Sequence, residues 1–234
     1  AFREGRRVFI SAPINHFPLD ERATKSLLFA GGIGVTPLLT MAHRLHATGA
    51  AFDLHYSVHS RTAAGFLADI DAAPWKDRVT LHLTDAGSRA DFARLVPAYV
   101  EGFQLYSCGS ARYMDAVYAI AGSKGWPDEA LHKEYFSVPE PPDYVNHPFT
   151  LKLARSGRSI EVPADRSATE VLEAAGIHVE VKCSDGICGT CAVPHLSGEI
   201  EHRDYVLSAK ERGRKMILCC SRAKQPGGEI VVDL

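Results

Sequence analysis

Cys183-Ser-Asp-Gly186-Ile-Cys188-Gly189-Thr-Cys191 places three thiols within nine residues, and Cys219-Cys220 follows after 27 intervening positions. The pattern C-x4-C-x2-C…C is a spacing that holds a 2Fe-2S cluster. Three thiolates from one short segment must converge on a small anionic group, so the chain has to curl around it. Gly186 and Gly189 permit the torsions such a curl needs and let backbone N–H groups approach the bridging sulfides. A fourth ligand from a distant strand would lock the loop to the core. Alternation leaves it as either Cys219 or Cys220, since both lie in Met216–Ser221. A structural zinc site competes, but zinc ribbons usually carry two C-x2-C pairs and only one is present here. No Cys-x-His pair occurs, which excludes a His-ligated Rieske centre.

A second group of residues suits an anionic ligand. Ser26-Leu-Leu-Phe-Ala30-Gly31-Gly32-Ile-Gly34-Val35-Thr36-Pro37 reads as a strand, a glycine turn and a helix start. With Thr36 as N-cap and Pro37 as the first helical residue, the helix would aim free N–H groups and a positive dipole at a pyrophosphate. A tight strand–helix turn with no ligand is the plainer alternative. In dinucleotide folds an acidic residue after the second strand holds the ribose, whereas Arg there accepts a 2′-phosphate. That position reads His59-Ser60-Arg61, which leans towards NADP, although a solvated loop would carry an Arg equally well. Cys108-Gly109 ends the fourth predicted strand, at the carboxyl edge where ligands bind.

The elements that must position these groups fall into three segments. Ala1 to about Asp20 holds one strand-like run, Arg7–Ile10, followed by loop residues. Between Ser26 and Phe136 the pattern predicts strands Ser26–Phe29, Asp53–Val58, Val79–Thr84, Gln104–Cys108 and Ala130–Glu134. They alternate with predicted helices Pro37–Ala47, Ala63–Ile70, Asp91–Val96 and Arg112–Ala121, the signature of crossover units and a parallel sheet. Ser137–Pro148 carries four prolines in twelve residues and reads as a stiff, extended linker. Beyond it, Phe149–Leu153 and Ser159–Val162 predict a hairpin, Ser167-Ala-Thr-Glu170 a capping box, Ala168–Ala175 a helix ending at Gly176, and Ile230–Val232 a last strand. The fold class is therefore an α/β nucleotide-binding domain with a parallel sheet, followed by an α+β domain.

Composition fits two small domains. The 234 residues are 46% hydrophobic and 23% charged, with a net charge of −2, so no basic excess marks a nucleic-acid binder. The longest uncharged run, Ser26–Ala42, has 17 residues broken by glycines and a proline, too short to span a bilayer. The eleven histidines form no catalytic or metal-binding motif.

The two sites make a joint demand. A nicotinamide gives up two electrons as a hydride, a 2Fe-2S cluster normally takes one, and a flavin is the usual converter. Residues 21–234 carry no complete flavin site, so that part is expected to precede residue 1. With these motifs in hand, the chain resembles the phthalate dioxygenase reductase family, within the ferredoxin-NADP reductase superfamily. Ser11-Ala-Pro13-Ile-Asn15-His-Phe17 is similar to the end of that family's flavin barrel. Ala30–Pro37 resembles its nucleotide loop, Cys108-Gly109 its cysteine–glycine near the nicotinamide, and His132–Phe136 the stretch whose aromatic covers the flavin. Cys183–Cys191, His202-Arg203-Asp204 and Cys219-Cys220-Ser221-Arg222 resemble its cluster domain.

The resemblance implies a β-grasp-like plant-type ferredoxin domain at 149–234, a linker at 138–148, an NAD(P) domain at 21–137 and the end of a flavin barrel at 1–20. It implies cluster ligands Cys183, Cys188, Cys191 and Cys219, and a nucleotide held by Gly31, Gly32, Gly34, Val35, Thr36, Pro37, Ser60, Arg61 and Gly109. Cys108 would border the nicotinamide and Phe136 would shield the flavin. The implied donor is NADH, with NADPH as the alternative, and FMN belongs to the intact protein. The implied partner is a terminal oxygenase of the Rieske type, or a haem monooxygenase fused upstream, in the cytoplasm and with neither nucleic acid nor membrane. A non-redox nucleotide- or zinc-binding module is the rival of a different class.

Overall fold

The computed structural model describes residues 3–10, 12, 15–136, 138 and 143–234. The apolar run Ser26–Ala30 forms the middle of strand β1 (Lys25–Gly31), whose interior is fully buried. Around it lie β2 (Phe52–Val58), β3 (Val79–Leu83), β4 (Phe103–Cys108) and β5 (Leu131–Glu134), all parallel, in the order β3-β2-β1-β4-β5. Parallel strands need both faces covered, which is why β1 is apolar without alternation. Leu28 and Ala30 pack under helix α1 (Val35–Ala47) with Leu38, Ala42 and Leu45. Leu27 and Phe29 point the other way, to Val117 and Ala121 of α4 (Ala111–Ser123). Short helices α2 (Leu67–Ala72) and α3 (Phe92–Leu95) complete this unit.

The second unit follows the linker. β6 (Phe149–Leu153) and β7 (Ser159–Val162) form the expected antiparallel hairpin. α5 (Ala168–Ala174) then starts on a complete capping box, with Ser167 and Glu170 each satisfying the other's backbone N–H, worth about 1 kcal/mol. β8 (Ala192–Ser197), β9 (Ile200–Glu201), α6 (Ala209–Arg212), β10 (Lys215–Ile217), β11 (Arg222–Ala223) and β12 (Glu229–Val232) close it. The main sheet runs β10-β8-β12-β6-β7, with β12 parallel to β6 and the other pairs antiparallel, a mixed β-grasp-like arrangement over its own core.

Several local expectations change. Arg7–Ile10 is not a strand; it is exposed chain, with Phe9 unburied. The helix expected over Ala63–Ile70 starts only at Leu67, because Phe66 adopts a left-handed φ of 61° that breaks any earlier turn. Thr36 is not an N-cap: the helix begins at Val35 after a single 3-10 turn at Gly32–Gly34, and the Thr36 hydroxyl donates back to the Ile33 carbonyl (3.1 Å). Ser11, Pro13 and Ile14 of the barrel-like segment, and Ser137 and 139–142 of the linker, lie outside the described residues.

The strand order reverses between β1 and β4, and there the two following loops touch. A Cβ on Gly34 would sit 2.1 Å from the Cys108 carbonyl oxygen, and one on Gly109 would sit 3.1 Å from the Gly31 Cα. Gly34→Ala is expected to cost about 1–3 kcal/mol, read as a lower midpoint in chemical unfolding, whereas Gly122→Ala, with open space around it, should not.

His55 of β2 is buried against Phe29 (5.1 Å between ring centroids), its Nδ1 3.3 Å from His82 Nε2. Burial, then the neighbouring His82, press its pKa down to about 4. The unfolded chain therefore takes up this proton first, so the stability is complete above about pH 6.5 and is lost as pH falls towards 4. Between pH 7 and 4.5 the loss is expected to be about 2–3 kcal/mol from this group. His55→Gln should flatten the pH dependence of urea unfolding by that amount, and an unchanged slope would refute the assignment.

Candidate functional site

Above the contact between the Gly31–Gly34 and Cys108-Gly109 loops opens a cleft of about 880 Å³. Its floor is Gly31 and Gly32, the latter at φ 56°, and one wall comes from the ends of β2 and β3 through Ser57, His59 and His82. The opposite wall is the start of α4, where Ser110 caps the helix by accepting from the Tyr113 N–H (3.3 Å). The Tyr113 ring lies over Gly31 and Gly109, and its hydroxyl is 3.4 Å from Ser57 Oγ. Burial pushes this phenol up to about 12, partly offset by Ser57, so it stays neutral. Arg89 and Arg112 bring two cations to the same cleft. An apolar ring, glycine backbone and two guanidinium groups beside a helix N-terminus suit an anionic, flat ligand.

Of the residues singled out from the sequence, Gly31 and Gly32 line this cleft, and Gly34, Cys108 and Gly109 form the contact beneath it. Val35, Thr36 and Pro37 form the first turn of α1. Ser60 and Arg61 are not among its lining residues. The Ser60 hydroxyl caps the following turn by accepting from the Ala63 N–H, and Arg61 pairs with Asp71 (3.1 Å) with both side chains largely exposed. Arg89, Arg112 and Tyr113 were missed. Arg112 and Tyr113 had a faint signal, Ser110 as an N-cap directly after Cys108-Gly109; Arg89 had none, because its loop is irregular.

Cys108 is buried at the end of β4, in register with Ala30 and Glu134. Burial, then the Glu134 charge, push its thiol up to about 12, so it is a neutral, unreactive side chain. A second hollow of about 660 Å³ lies on the α1 side, lined by Asn15, Phe17, Pro37, Met41 and Glu134. Phe17 anchors its rim by an edge contact with Tyr106 (5.8 Å), whose hydroxyl accepts from the Asp20 N–H (2.8 Å). Phe136, half exposed, follows directly after β5.

The thiol loop curls as its glycines require: Ser184, Gly186 and Gly189 all have φ between 63° and 73°. The side chains of Cys183 and Cys188 are neighbours, and so are those of Cys191 and Cys219. Cys219 also touches Cys220, which packs where a Gly186 Cβ would be (2.7 Å). Cys219 lies in the turn after β10 rather than in a strand. All six cysteines are free thiols. Among the described residues no three His, Cys, Asp or Glu side chains gather as a mononuclear ion would need. Thiols set two and two fit a binuclear cluster, in which each iron takes two thiolates.

Burial raises the Cys188 thiol, but the Thr190 hydroxyl and N–H, then Cys183, outweigh it and bring it down to about 7. Cys191 is raised by its contact with Cys219, then by burial. At Cys219 the contact with Cys191 lowers the pKa, but Cys220 and burial prevail and push it up to about 12. Two of the four thiols are thus reluctant to ionise alone, and a bound metal is what overcomes that reluctance.

The loop faces the first unit. Tyr205 donates its N–H to the Gly186 carbonyl (3.0 Å) and sets its ring against Tyr135 (5.1 Å between centroids). Gly189 lies against the His16 imidazole, 3.1 Å from where its Cβ would be. Residues 15–17 and 134–136 therefore border both the hollow on the α1 side and the thiol loop.

No helix among the described residues is long and apolar enough to cross a membrane. Residues 151–224 match the family of 2Fe-2S iron-sulfur cluster binding domains. Over 99% of its length the chain is 41% identical to vanillate O-demethylase oxidoreductase of Pseudomonas sp. (strain HR199 / DSM 7063), covering 74% of it. It is 39% identical to phthalate dioxygenase reductase of Burkholderia cepacia, covering 99% of this chain and 71% of the relative. Among solved structures, an intact type IV self-sufficient cytochrome P450 monooxygenase matches 95% of this chain at 38% identity and a TM-score of 0.83, though the chain spans only 29% of that protein. The structure of phthalate dioxygenase reductase matches 96% of this chain at 39% identity and a TM-score of 0.58, with 70% of that protein covered. On this likeness the chain belongs to the iron–sulfur oxygenase reductases, the oxidoreductase family that includes vanillate O-demethylase oxidoreductase and phthalate dioxygenase reductase.

Proposed function

We propose that this chain carries electrons from a reduced nicotinamide nucleotide to a terminal oxygenase by way of a 2Fe-2S cluster, with FMN between the two in the intact protein. Cys183, Cys188, Cys191 and Cys219 hold the cluster. The observation that carries this reading is the pairing of Cys183 with Cys188 and of Cys191 with Cys219, three thiols from one loop and one from the turn after β10, with the loop set against His16 and, through Tyr205, against Tyr135. The units divide as the end of a flavin barrel (1–20), a nucleotide domain (21–137), a linker (138–148) and a ferredoxin domain (149–234). Six free thiols fit a reducing compartment and support a cytoplasmic setting.

Each residue group has a part. Gly31, Gly32 and the first turn of α1, Gly34 to Pro37, let a pyrophosphate approach the backbone, and Arg112 and Arg89 supply charge beside it. Tyr113 offers an apolar face. Gly109 keeps the neighbouring loop low, and Cys108, neutral and small, leaves room beside Glu134 for a nicotinamide. Phe136, half exposed and two residues beyond the end of β5, would cover the flavin until the nicotinamide displaced it. A flavin supplies the conversion of a hydride pair into single electrons. NADH is favoured as the donor, because Arg61 is taken up by Asp71 and is not among the residues lining the cleft.

The oxygenase has two candidate forms. The likeness to phthalate dioxygenase reductase, of which the chain covers 71%, supports a distinct oxygenase partner, and a Rieske-type oxygenase is the form we propose for it. The higher TM-score against the self-sufficient P450, 0.83 against 0.58 at 38% and 39% identity, supports an arrangement of the two units like that of a reductase fused to a haem domain.

Loaded anaerobically with iron and sulfide, the chain is expected to absorb beyond about 400 nm. NADH alone should leave that band unchanged over minutes, while chemically reduced FMN should bleach it. Bleaching by NADH without flavin would refute the need for a converter. Cys219→Ser should abolish or badly weaken the band and Cys220→Ser should retain it; the reverse would reassign the fourth ligand.

A further inference from the structure

Arg222 is a cation in a place where cations are rare. It opens β11 three residues after Cys219 and is 5% exposed. Its guanidinium donates only to backbone carbonyls: His147 (2.9 Å from Nη2, 3.2 Å from Nε), Arg166 (3.0 Å from Nη1), Pro163 (2.6 Å from Nη2) and Val162 (3.5 Å from Nη2). Its flat face rests on the Phe149 ring, 5.1 Å from the centroid. The carboxylate opposite it in register, Glu201, pairs instead with Arg203. Neutral carbonyls satisfy the donors of a buried guanidinium, but they do not cancel its charge, and an uncompensated buried charge is costly. Burial, then the nearby Arg203, press its pKa below the ordinary arginine value, and the Glu201 charge offsets only part of this.

A negative partner is available on the reading given above. Arg222 lines a cavity of about 220 Å³ together with Cys219 and Cys220, two further cations, Arg166 and Arg203, and one carboxylate, Asp165, with which Arg222 makes no ion pair. A 2Fe-2S cluster on four thiolates carries a net charge of −2 (two ferric ions, two sulfides and four thiolates), and −3 after it takes up one electron. We propose that Arg222 is the buried counter-charge of the cluster: it favours the reduced form over the oxidised one and so sets the reduction potential, while its carbonyl contacts tie the end of the linker to the same spot. The sign follows from electrostatics alone. A fixed positive charge in a low-dielectric site stabilises the more negative of two states, and its removal makes the cluster harder to reduce. The role rests on the cluster reading, and it makes Arg222 a positioning and tuning residue, since it touches no ligand sulfur.

The test is spectroelectrochemical titration of the loaded 234-residue chain, comparing wild type, Arg222→Gln and Arg222→Lys, with thermal unfolding measured in parallel. Arg222→Gln is expected to lower the ratio of reduced to oxidised cluster at a fixed potential by tenfold or more, a negative shift of about 59 mV per tenfold for one electron. Arg222→Lys keeps the charge but loses the planar fork, so it should keep the wild-type ratio within about twofold while unfolding at a lower temperature. If the Gln variant keeps the wild-type potential, or the Lys variant shifts as far as the Gln variant, Arg222 is a structural clamp only and the proposal falls. If the Gln variant does not retain the cluster, the Lys variant decides: an unchanged potential supports the counter-charge and a lowered one overturns it. Failure of the wild-type chain to load any cluster would instead overturn the cluster reading itself.

Discussion

The close approach of two backbones at the point where the sheet reverses direction is the constraint on which the nucleotide half depends. β1 and β4 are neighbours, and each ends in a loop that must turn at the same edge. Gly34 presses on the Cys108 carbonyl and Gly31 on Gly109, so the loops stack without side chains between them. Their closeness lets the Tyr113 ring lie over both and leaves an open floor above, bounded by the N-terminus of α4 and by Arg89 and Arg112. The same contact seals Cys108 beneath it, so its thiol is a spacer and not a nucleophile. One steric requirement thus yields the cleft, the neutral edge where a nicotinamide would lie, and the direction in which α1 leaves the sheet.

This explains what the sequence made legible and what it concealed. Residue types with a single physical use could be read directly. The glycines of the thiol loop, the Ser167–Glu170 capping box and the apolar run of β1 each pointed to one local structure, and each is found. Gly34 could be read as important but for an incomplete reason, because a phosphate loop and a backbone crossing call for the same residue. Thr36 followed by Pro37 looked like a helix start, yet the 3-10 turn through Gly32–Gly34 takes that place, since Gly34 has to lie against β4 before the helix can begin. Arg61 looked like a phosphate ligand because its position after β2 was counted along the chain. The turn that Ser60 caps carries it to Asp71 instead. Arg89, Arg112 and Tyr113 meet only through tertiary packing, and no local pattern announces that.

The two units answer the same problem, the handling of negative charge, in different ways. In the cleft, charge arrives and leaves with a ligand, so the compensating groups are exposed guanidinium side chains and helix N-termini that water can serve in the ligand's absence. In the thiol loop the charge is permanent once metal is bound, and exposed cations would be screened by solvent. Lys182, the one cation near the start of that loop, is already paired with Glu180. Compensation has to come from inside, from backbone N–H groups that the left-handed turns at Ser184, Gly186 and Gly189 can direct inwards, and from buried Arg222.

The contact between the units follows from this division. A loop packed with inward-facing backbone has few side chains to spare for an interface, and what it presents is glycine: Gly189 to His16, and Gly186 through Tyr205 to Tyr135. Where an interface between domains is small, it permits relative movement. A reductase that takes electrons from a flavin and hands them to a second protein benefits from that freedom, because one buried cluster must approach two different partners. A large hydrophobic seam between the units would hold the loop against the flavin and deny it to the oxygenase. The glycines that curl the chain around the thiols are therefore also the residues through which the loop meets His16 and, by way of Tyr205, Tyr135.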